Sequence, residues 1–484
     1  MPEFVTVFGV VAVILTIAAL VSGVVEKSPL SLPLLFLGFG FLMGERGLGV
    51  IEITPTDRTL ETVATLTLAL VLFLDAVKLQ VDDLGRRWLI PVLILGPGTA
   101  IIIVLGAVPL ALLLGFGWVL AFIGGAVLAS TDPVVLRDIL RDRRIPRSVR
   151  QILRIEAGTN DLVVLPIVLV LIAVARGQIG DTADWAVFLT RLLIVGPAIG
   201  FVIGGFGSWL VARVDRHAGI RLEYQALYGV GLVLASYTAA VAAGGDGFLA
   251  SFAAGLAVVL LNQRLCDCFL EYGEVTAEMA MLLAFVLFGA VLSGILGMAE
   301  LGPALILAAL VIFVIRPVVL GLVLSRARMS FEAHAFVGWF GPRGLNSLLL
   351  ALLVVLGDVP NGELLLATVG IVVLSSIVIH GASAPTVSGW YSRRAAEATL
   401  EEERESTAAG LFDHEDGEVP RITPDELNAQ LQESDPPIVL DVRSRSSYER
   451  DETQIPGSLR VLPDEITDWI ANRSAGARVV VYCT

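Results

Sequence analysis

Cysteine is scarce. The chain has 484 residues and three cysteines, Cys266, Cys268 and Cys483. So few thiols imply no disulfide framework. Cys266-Asp267-Cys268 has no second cysteine pair or histidine cluster beside it, which excludes the usual zinc ligand sets. A basic N-terminal region is also missing. The opening Met1–Val10 stretch carries no lysine or arginine and no clear cleavage site, so it reads as a retained first span and not a removed leader. Positive charge is in deficit: the formal net charge is −14. From Tyr391 onward 20 acidic residues face 10 basic ones, a tail charge of −10, which argues against nucleic acid or an anionic lipid surface as that segment's partner. Short alternating strands are absent from the apolar part, which excludes a transmembrane barrel.

Long apolar runs are what the sequence has in abundance. Hydrophobic residues make up 56% of the chain, and its mean hydropathy is +0.81. Many runs reach the roughly 20 residues that a helix needs to cross a ~30 Å hydrocarbon core. Lipid offers no hydrogen-bond partner to a backbone, so the runs must be helices. Thirteen spans are expected, near 4–25, 30–44, 60–78, 89–114, 117–138, 151–175, 186–212, 223–243, 246–262, 275–297, 302–324, 332–356 and 363–390. Alternate loops concentrate the basic residues: Lys27; Lys78, Arg86 and Arg87; Arg141, Arg143, Arg144, Arg147 and Arg150; Arg213, Arg216 and Arg221; Arg264; Arg326 and Arg328; Arg393 and Arg394. The other set holds Arg46, Arg58 and Arg176. The positive-inside rule then places the N-terminus outside and the C-terminus in the cytoplasm of a multi-pass protein of the cell membrane.

Thirteen spans divide as six, a linker and six, and the two halves enter the membrane from opposite sides. The fifth member of the first half contains Gly124-Gly125 and Ser130-Thr131-Asp132-Pro133. Its counterpart contains Gly338-Trp339-Phe340-Gly341-Pro342-Arg343-Gly344. Both are interrupted in mid-membrane, and such breaks free backbone groups to face a binding site. The fold class expected is an all-α polytopic membrane protein of two inverted repeats with discontinuous helices over residues 1–390. An acidic cytoplasmic linker (391–420) and a partial α/β segment (421–484) follow.

Ionisable residues inside a span are expensive and are functional candidates by default. Asp75, Asp132, Glu156 and Asp161 are the acids of interest, with Arg343 as the buried base. Asp161 follows Asn160 and precedes an apolar run reaching Val174. Desolvation disfavours a bare carboxylate, so a buried acid must be neutralised by a proton or by a cation. That competition suffices in principle for exchange. Thr131, Asp75 and the freed carbonyls would supply further oxygen ligands to Na⁺ or K⁺ at Asp161. Asn160 is neutral, which predicts one proton per cation and electroneutral exchange, with Asp132 a further acid nearby. Glu156 and Arg343 are expected to form an ion pair between their spans.

These residues resemble the cation:proton antiporters of the NhaP/NHE type. The carrying motifs are Thr131-Asp132-Pro133, Glu156 five residues before Asp161, Asn160-Asp161, Phe252-Ala253-Ala254-Gly255-Leu256, Arg343-Gly344, and His380-Gly381 followed by Pro385. The resemblance implies a homodimer of subunits, each with a mobile six-helix core moving against a dimerisation domain. It implies Asp161 as the ion- and proton-binding acid, Thr131 and Asp75 as helpers, and Glu156–Arg343 as a structural pair. Asp75 in Phe73-Leu74-Asp75-Ala76-Val77 stands where the family usually has glutamate, and Ala157 where a small hydroxyl residue is usual. His380 is expected to be hydrogen-bonded structure before it is a pH sensor.

The tail resembles a rhodanese-like domain through Leu440-Asp441-Val442-Arg443, Tyr448-Glu449, Ile455-Pro456-Gly457-Ser458 and Val480-Val481-Tyr482-Cys483. In that family the cysteine after the buried strand opens an anion-binding loop that favours the thiolate. Here one residue follows Cys483, and Gln454 replaces the usual histidine. The expectation is therefore an incomplete, inactive domain and a chain that is a transporter, not an enzyme, with no cofactor. Two rivals remain at this level. A membrane-anchored sulfurtransferase, or a sulfur- or redox-gated transporter, requires sequence beyond Cys483. A cation channel would not need a carboxylate that must be neutralised before the carrier turns.

Overall fold

The computed structural model describes residues 9, 12, 13, 16, 20, 31–79, 89–134, 136–142, 144–177, 180–261, 273–326, 329–397, 422–433, 436–443, 448, 453–462, 465–471 and 478–482. Most of the expected first span, Cys266, Cys268, Cys483 and most of the 391–420 linker lie outside the described residues. The chain divides into two compact units. The first comprises residues 1–137, 154–324 and 338–383; the second comprises 138–153, 325–337 and 384–484.

The other twelve expected spans are all helical. They are α1 (Leu32–Met43), α2 (Arg58–Val77), α3 (Pro91–Leu113), α4 (Trp118–Ala129) with the short α5 (Arg137–Arg141), and α6 (Arg147–Ala175). Then come α7 (Thr182–Ala218), α8 (Leu222–Ala242), α9 (Gly247–Leu261), α10 (Glu274–Met298) and α11 (Leu301–Val323). The broken pair α12 (Phe331–Trp339) and α13 (Leu345–Leu356) precedes α14 (Gly362–Glu397). Local chemistry sets several ends. Asp57 caps α2 by accepting from the Thr59 amide, and Asp181 caps α7 by accepting from Ala183 and Asp184.

The inverted halves show in the irregularities of the helices. The fourth member of each half carries a π-helical turn, at Ile94–Gly98 in α3 and Leu310–Ile315 in α11. The fifth member of each half is broken, between α4 and α5 and between α12 and α13. Small residues let helices approach where lipid supplies no hydrophobic drive. On α7, a Cβ on Gly200 or Gly204 would strike the carbonyls of Ala250 and Ala254 on α9. On α1, a Cβ on Gly40 would strike Val286 of α10. Gly255 brings α9 against the Phe73 carbonyl of α2, and so packs the Phe252–Leu256 motif beside Asp75.

Within the second unit, the tail forms α15 (Pro424–Gln430), β1 (Ile438–Asp441), β2 (Leu459–Arg460), α16 (Ile466–Ala471) and β3 (Val479–Tyr482). The sheet is parallel in the order β2-β1-β3, with Leu440, Val442 and Val461 as its apolar centre. Asp441 is buried and accepts from both Arg443 and Arg460. Strand β1 is buried over Val439–Asp441, whereas β3 alternates, with Val479 and Val481 exposed.

Candidate functional site

The site grows from the two breaks. Helix α4 stops at Ala129 because Ser130 turns extended, with ψ of 137°. A helix that ends inside a membrane leaves its last carbonyls without partners. Here side chains supply them. Arg343 Nη1 donates to the Ala129 carbonyl at 3.0 Å and to the Ser130 carbonyl at 2.8 Å. Asn160 Nδ2 donates to the same Ala129 carbonyl at 2.7 Å, and Ser347 Oγ to the Val127 carbonyl at 3.1 Å. A guanidinium at a helix C-terminus also complements the helix dipole. The carbonyls expected to be free for a cation are therefore occupied by donors, at Val127, Ala129 and Ser130.

Asp132 performs the converse service at the other break. Its Oδ2 accepts the Leu345 amide at the start of α13 (2.7 Å), and its Oδ1 accepts the Val134 amide (2.8 Å). Its own amide donates to the Pro342 carbonyl at 2.9 Å. The two breaks are thus tied by an acid at one helix N-terminus and a base at the other helix's C-terminus. Glycine is needed for this approach. A Cβ on Gly344 would overlap Asp132, and a Cβ on Gly341 would overlap the Arg316 side chain.

The expected Glu156–Arg343 pair is replaced by another. Glu156 is paired bidentately with Arg316 of α11, Nη1 to Oε1 at 2.5 Å and Nη2 to Oε2 at 3.0 Å. Arg316 Nη2 also donates to the Phe340 carbonyl at 2.8 Å. The physical reason is the demand at the α4 terminus, which takes Arg343. Among the described residues Arg343 Nε and Nη2 have no hydrogen-bond partner, and no ion pair joins it to Glu156. Arg316 was detectable by the rule that found Arg343, since it interrupts the apolar run Leu310–Leu324.

Asp161 lies 1% exposed on α6, and the breaks bring two neutral side chains to it. Ser130 Oγ donates to Oδ1 at 2.5 Å, and Asn346 Nδ2 donates to Oδ2. Neither partner stood out in the sequence, although both are polar residues beside a mid-membrane break. Thr131 is buried and touches the site through Asn160 Nδ2 at 3.4 Å, and Thr99 Oγ1 reaches Asn160 Oδ1 at 3.5 Å. Asp75 on α2 is buried, and its Oδ2 has no hydrogen-bond partner among the described residues. His380 is enclosed by Ser376 and the Trp339 carbonyl, its Nε2 at 3.1 Å from that oxygen. Ser376 Oγ accepts the Arg343 amide at 2.8 Å. Its Nδ1 also faces the Ser376 carbonyl at 2.9 Å, so both ring nitrogens lie against backbone carbonyls and tie His380 to the second break.

Inverted halves whose broken fifth helices cross beside a buried carboxylate define a secondary-transporter fold. The particular family follows from comparison. Residues 12–390 match the sodium/hydrogen exchanger transmembrane family, and the chain belongs to it. It is 27% identical over 391 residues to the K(+)/H(+) antiporter NhaP of Alkalimonas amylolytica, covering 79% of this chain and 66% of that protein. It is 27% identical over 383 residues to the K(+)/H(+) antiporter NhaP2 of Shewanella sp. strain MR-4, covering 78% and 65%. The chain therefore spans just under two thirds of the length of these relatives. The fold is similar to that of the sodium proton antiporter MjNhaP1 of Methanocaldococcus jannaschii at TM-score 0.67, 19% identity, with 81% of this chain and 100% of that one covered.

Proposed function

We propose that the protein exchanges a monovalent cation, Na⁺, K⁺ or Li⁺, for H⁺ by alternating access, with Asp161 as the acid that carries either ion. The observation that carries this reading is the difference among the buried carboxylates. Glu156 faces the permanent positive charge of Arg316, and Asp132 faces two backbone amides. Both are held by groups that can only donate. Asp161 faces a hydroxyl and an amide, and each of these can donate or accept. Such partners serve a carboxylate that alternates between ionised, protonated and cation-bound forms. Asp75, with an unpartnered oxygen, is the second oxygen donor, and Asn160 and Thr131 orient the break beside the site.

The names of the relatives, potassium:proton antiporters, support the same class of exchange. With Glu156 balanced and Asn160 neutral, one proton is exchanged per cation and the cycle is electroneutral. We place the protein in the cell membrane as a homodimer, N-terminus outside and C-terminus cytoplasmic, in pH and cation homeostasis. The test is dequenching of a trapped pH dye in proteoliposomes under an acid-inside gradient, on adding each cation. Cation-dependent proton movement is expected in the wild type, insensitive to a clamped membrane potential, and absent in Asp161→Asn. Undiminished exchange in Asp161→Asn would overturn the assignment.

A further inference from the structure

We propose that Asn346 determines cation affinity and choice: its amide nitrogen holds the vacant Asp161 carboxylate, and its amide oxygen becomes a cation ligand when the site is loaded. The inference rests on the exchange reading above and adds a ligand from the opposite half of the molecule.

The argument begins with the backbone. Asn346 is the second residue of α13, and both neighbours are pinned. The Leu345 amide is held by Asp132 at 2.7 Å, and the Ser347 hydroxyl is held by the Val127 carbonyl at 3.1 Å. The main chain at 346 is therefore fixed against the first break, and the side chain adjusts only through its own torsions. It is 2% exposed, and its nitrogen donates to Asp161 Oδ2.

The chemistry of an amide gives it two roles at that place. Its N–H group is a good partner for an ionised carboxylate and repels a cation. Its carbonyl attracts a cation and accepts from a protonated carboxyl. Among the described residues nothing donates to the Asn346 oxygen, so rotation about the terminal torsion breaks no second bond. That torsion is broad and roughly two-fold, which makes the exchange of N–H₂ for C=O a local movement. Proton and cation forms of Asp161 then both face oxygen, and the vacant form faces N–H. Selectivity among hard monovalent cations depends on the number and field strength of coordinating oxygens, so an amide oxygen gained or lost alters the order of preference.

The measurement is calorimetric titration of LiCl, NaCl and KCl into purified wild type, Asn346→Leu and Asn346→Asp in detergent, with choline chloride as control. Protons released per cation come from buffers of different ionisation enthalpy, and the dye assay is run alongside. Asn346→Leu keeps the volume and removes both polar atoms. It should weaken the preferred cation about tenfold, the scale of a lost contact to a charged group, and narrow the spread among the three cations. Asn346→Asp keeps an oxygen and adds a titrating group. It should bind cations and release more protons per cation than the wild type.

A folded Asn346→Leu that binds all three cations as the wild type does would overturn the inference. If that variant does not fold, an unchanged proton count in Asn346→Asp overturns it instead. Wild type and Asp161→Asn judge the exchange reading separately. Wild-type binding without exchange sinks that reading and leaves Asn346 to be decided by the titrations. No cation binding by the wild type sinks both.

Discussion

At the scale of single residues, the site is a division of partners among buried charges: Glu156 meets a guanidinium, Asp132 backbone amides, and Asp161 a hydroxyl and an amide. The Glu156–Arg316 pair has both members under 5% exposed. Removing one partner of such a pair leaves an uncompensated charge and typically costs about 3–5 kcal/mol. Arg343 is a different case, because it satisfies carbonyls and not a carboxylate. A double-mutant cycle read by thermal unfolding in detergent separates the two. Glu156→Gln with Arg316→Met should show a coupling energy of about 1–3 kcal/mol. Glu156→Gln with Arg343→Met should be additive within about 0.5 kcal/mol. The reverse pattern would restore the pairing expected from sequence. The sequence made Asp75, Asp132, Glu156, Asp161 and Arg343 legible because any charge inside an apolar run is conspicuous. It did not make the partners legible, since pairing depends on which carbonyls a break exposes and which base is nearest to them. Arg316 was overlooked in an otherwise apolar helix, and Ser130 and Asn346 are too ordinary in type to stand out.

At the scale of elements, the two broken helices are one construction, and its tolerance is set by glycine. Gly344 and Gly341 stand where a side chain would overlap Asp132 and Arg316, whereas nothing lies within 4 Å of a Cβ on Gly158 of α6. Gly344→Ala and Gly341→Ala should each destabilise the protein by about 1–3 kcal/mol or more through overpacking. Gly158→Ala should be neutral or stabilise by up to about 1 kcal/mol, because alanine is the better helix former. Melting temperatures of the three variants in one detergent test this directly, and equal behaviour would mean that the crossing accommodates side chains. Twelve of the thirteen spans were legible as helices, because apolar length in lipid leaves helix as the outcome, although α7 and α14 run up to six or seven residues past the expected ends. The breaks were legible as Gly/Pro interruptions at matching positions. Their closure was not: the freed carbonyls looked like cation ligands, and the fold instead fills them with Arg343, Asn160 and Ser347.

At the scale of the whole molecule, the inverted halves fix a sidedness that the scarcity of cysteine makes measurable. The basic loops alternate, and Cys266 and Cys268 follow Arg264 in a loop of the basic set, while Cys483 belongs to the acidic tail. All three native thiols should therefore face the cytoplasm. The connection between α1 and α2 belongs to the sparsely basic set, and Thr56 is exposed there. An impermeant maleimide applied to intact cells should leave the wild type unlabelled and should label Thr56→Cys. After permeabilisation the wild type should be labelled as well. Labelling of the native thiols in intact cells, with Thr56→Cys protected, would invert the topology. Labelling on both sides would break the count of thirteen, because an odd number of spans is what puts the tail opposite the N-terminus. The charge rule that gives this answer uses only loop composition, so the experiment tests the sequence reading independently of the helix packing.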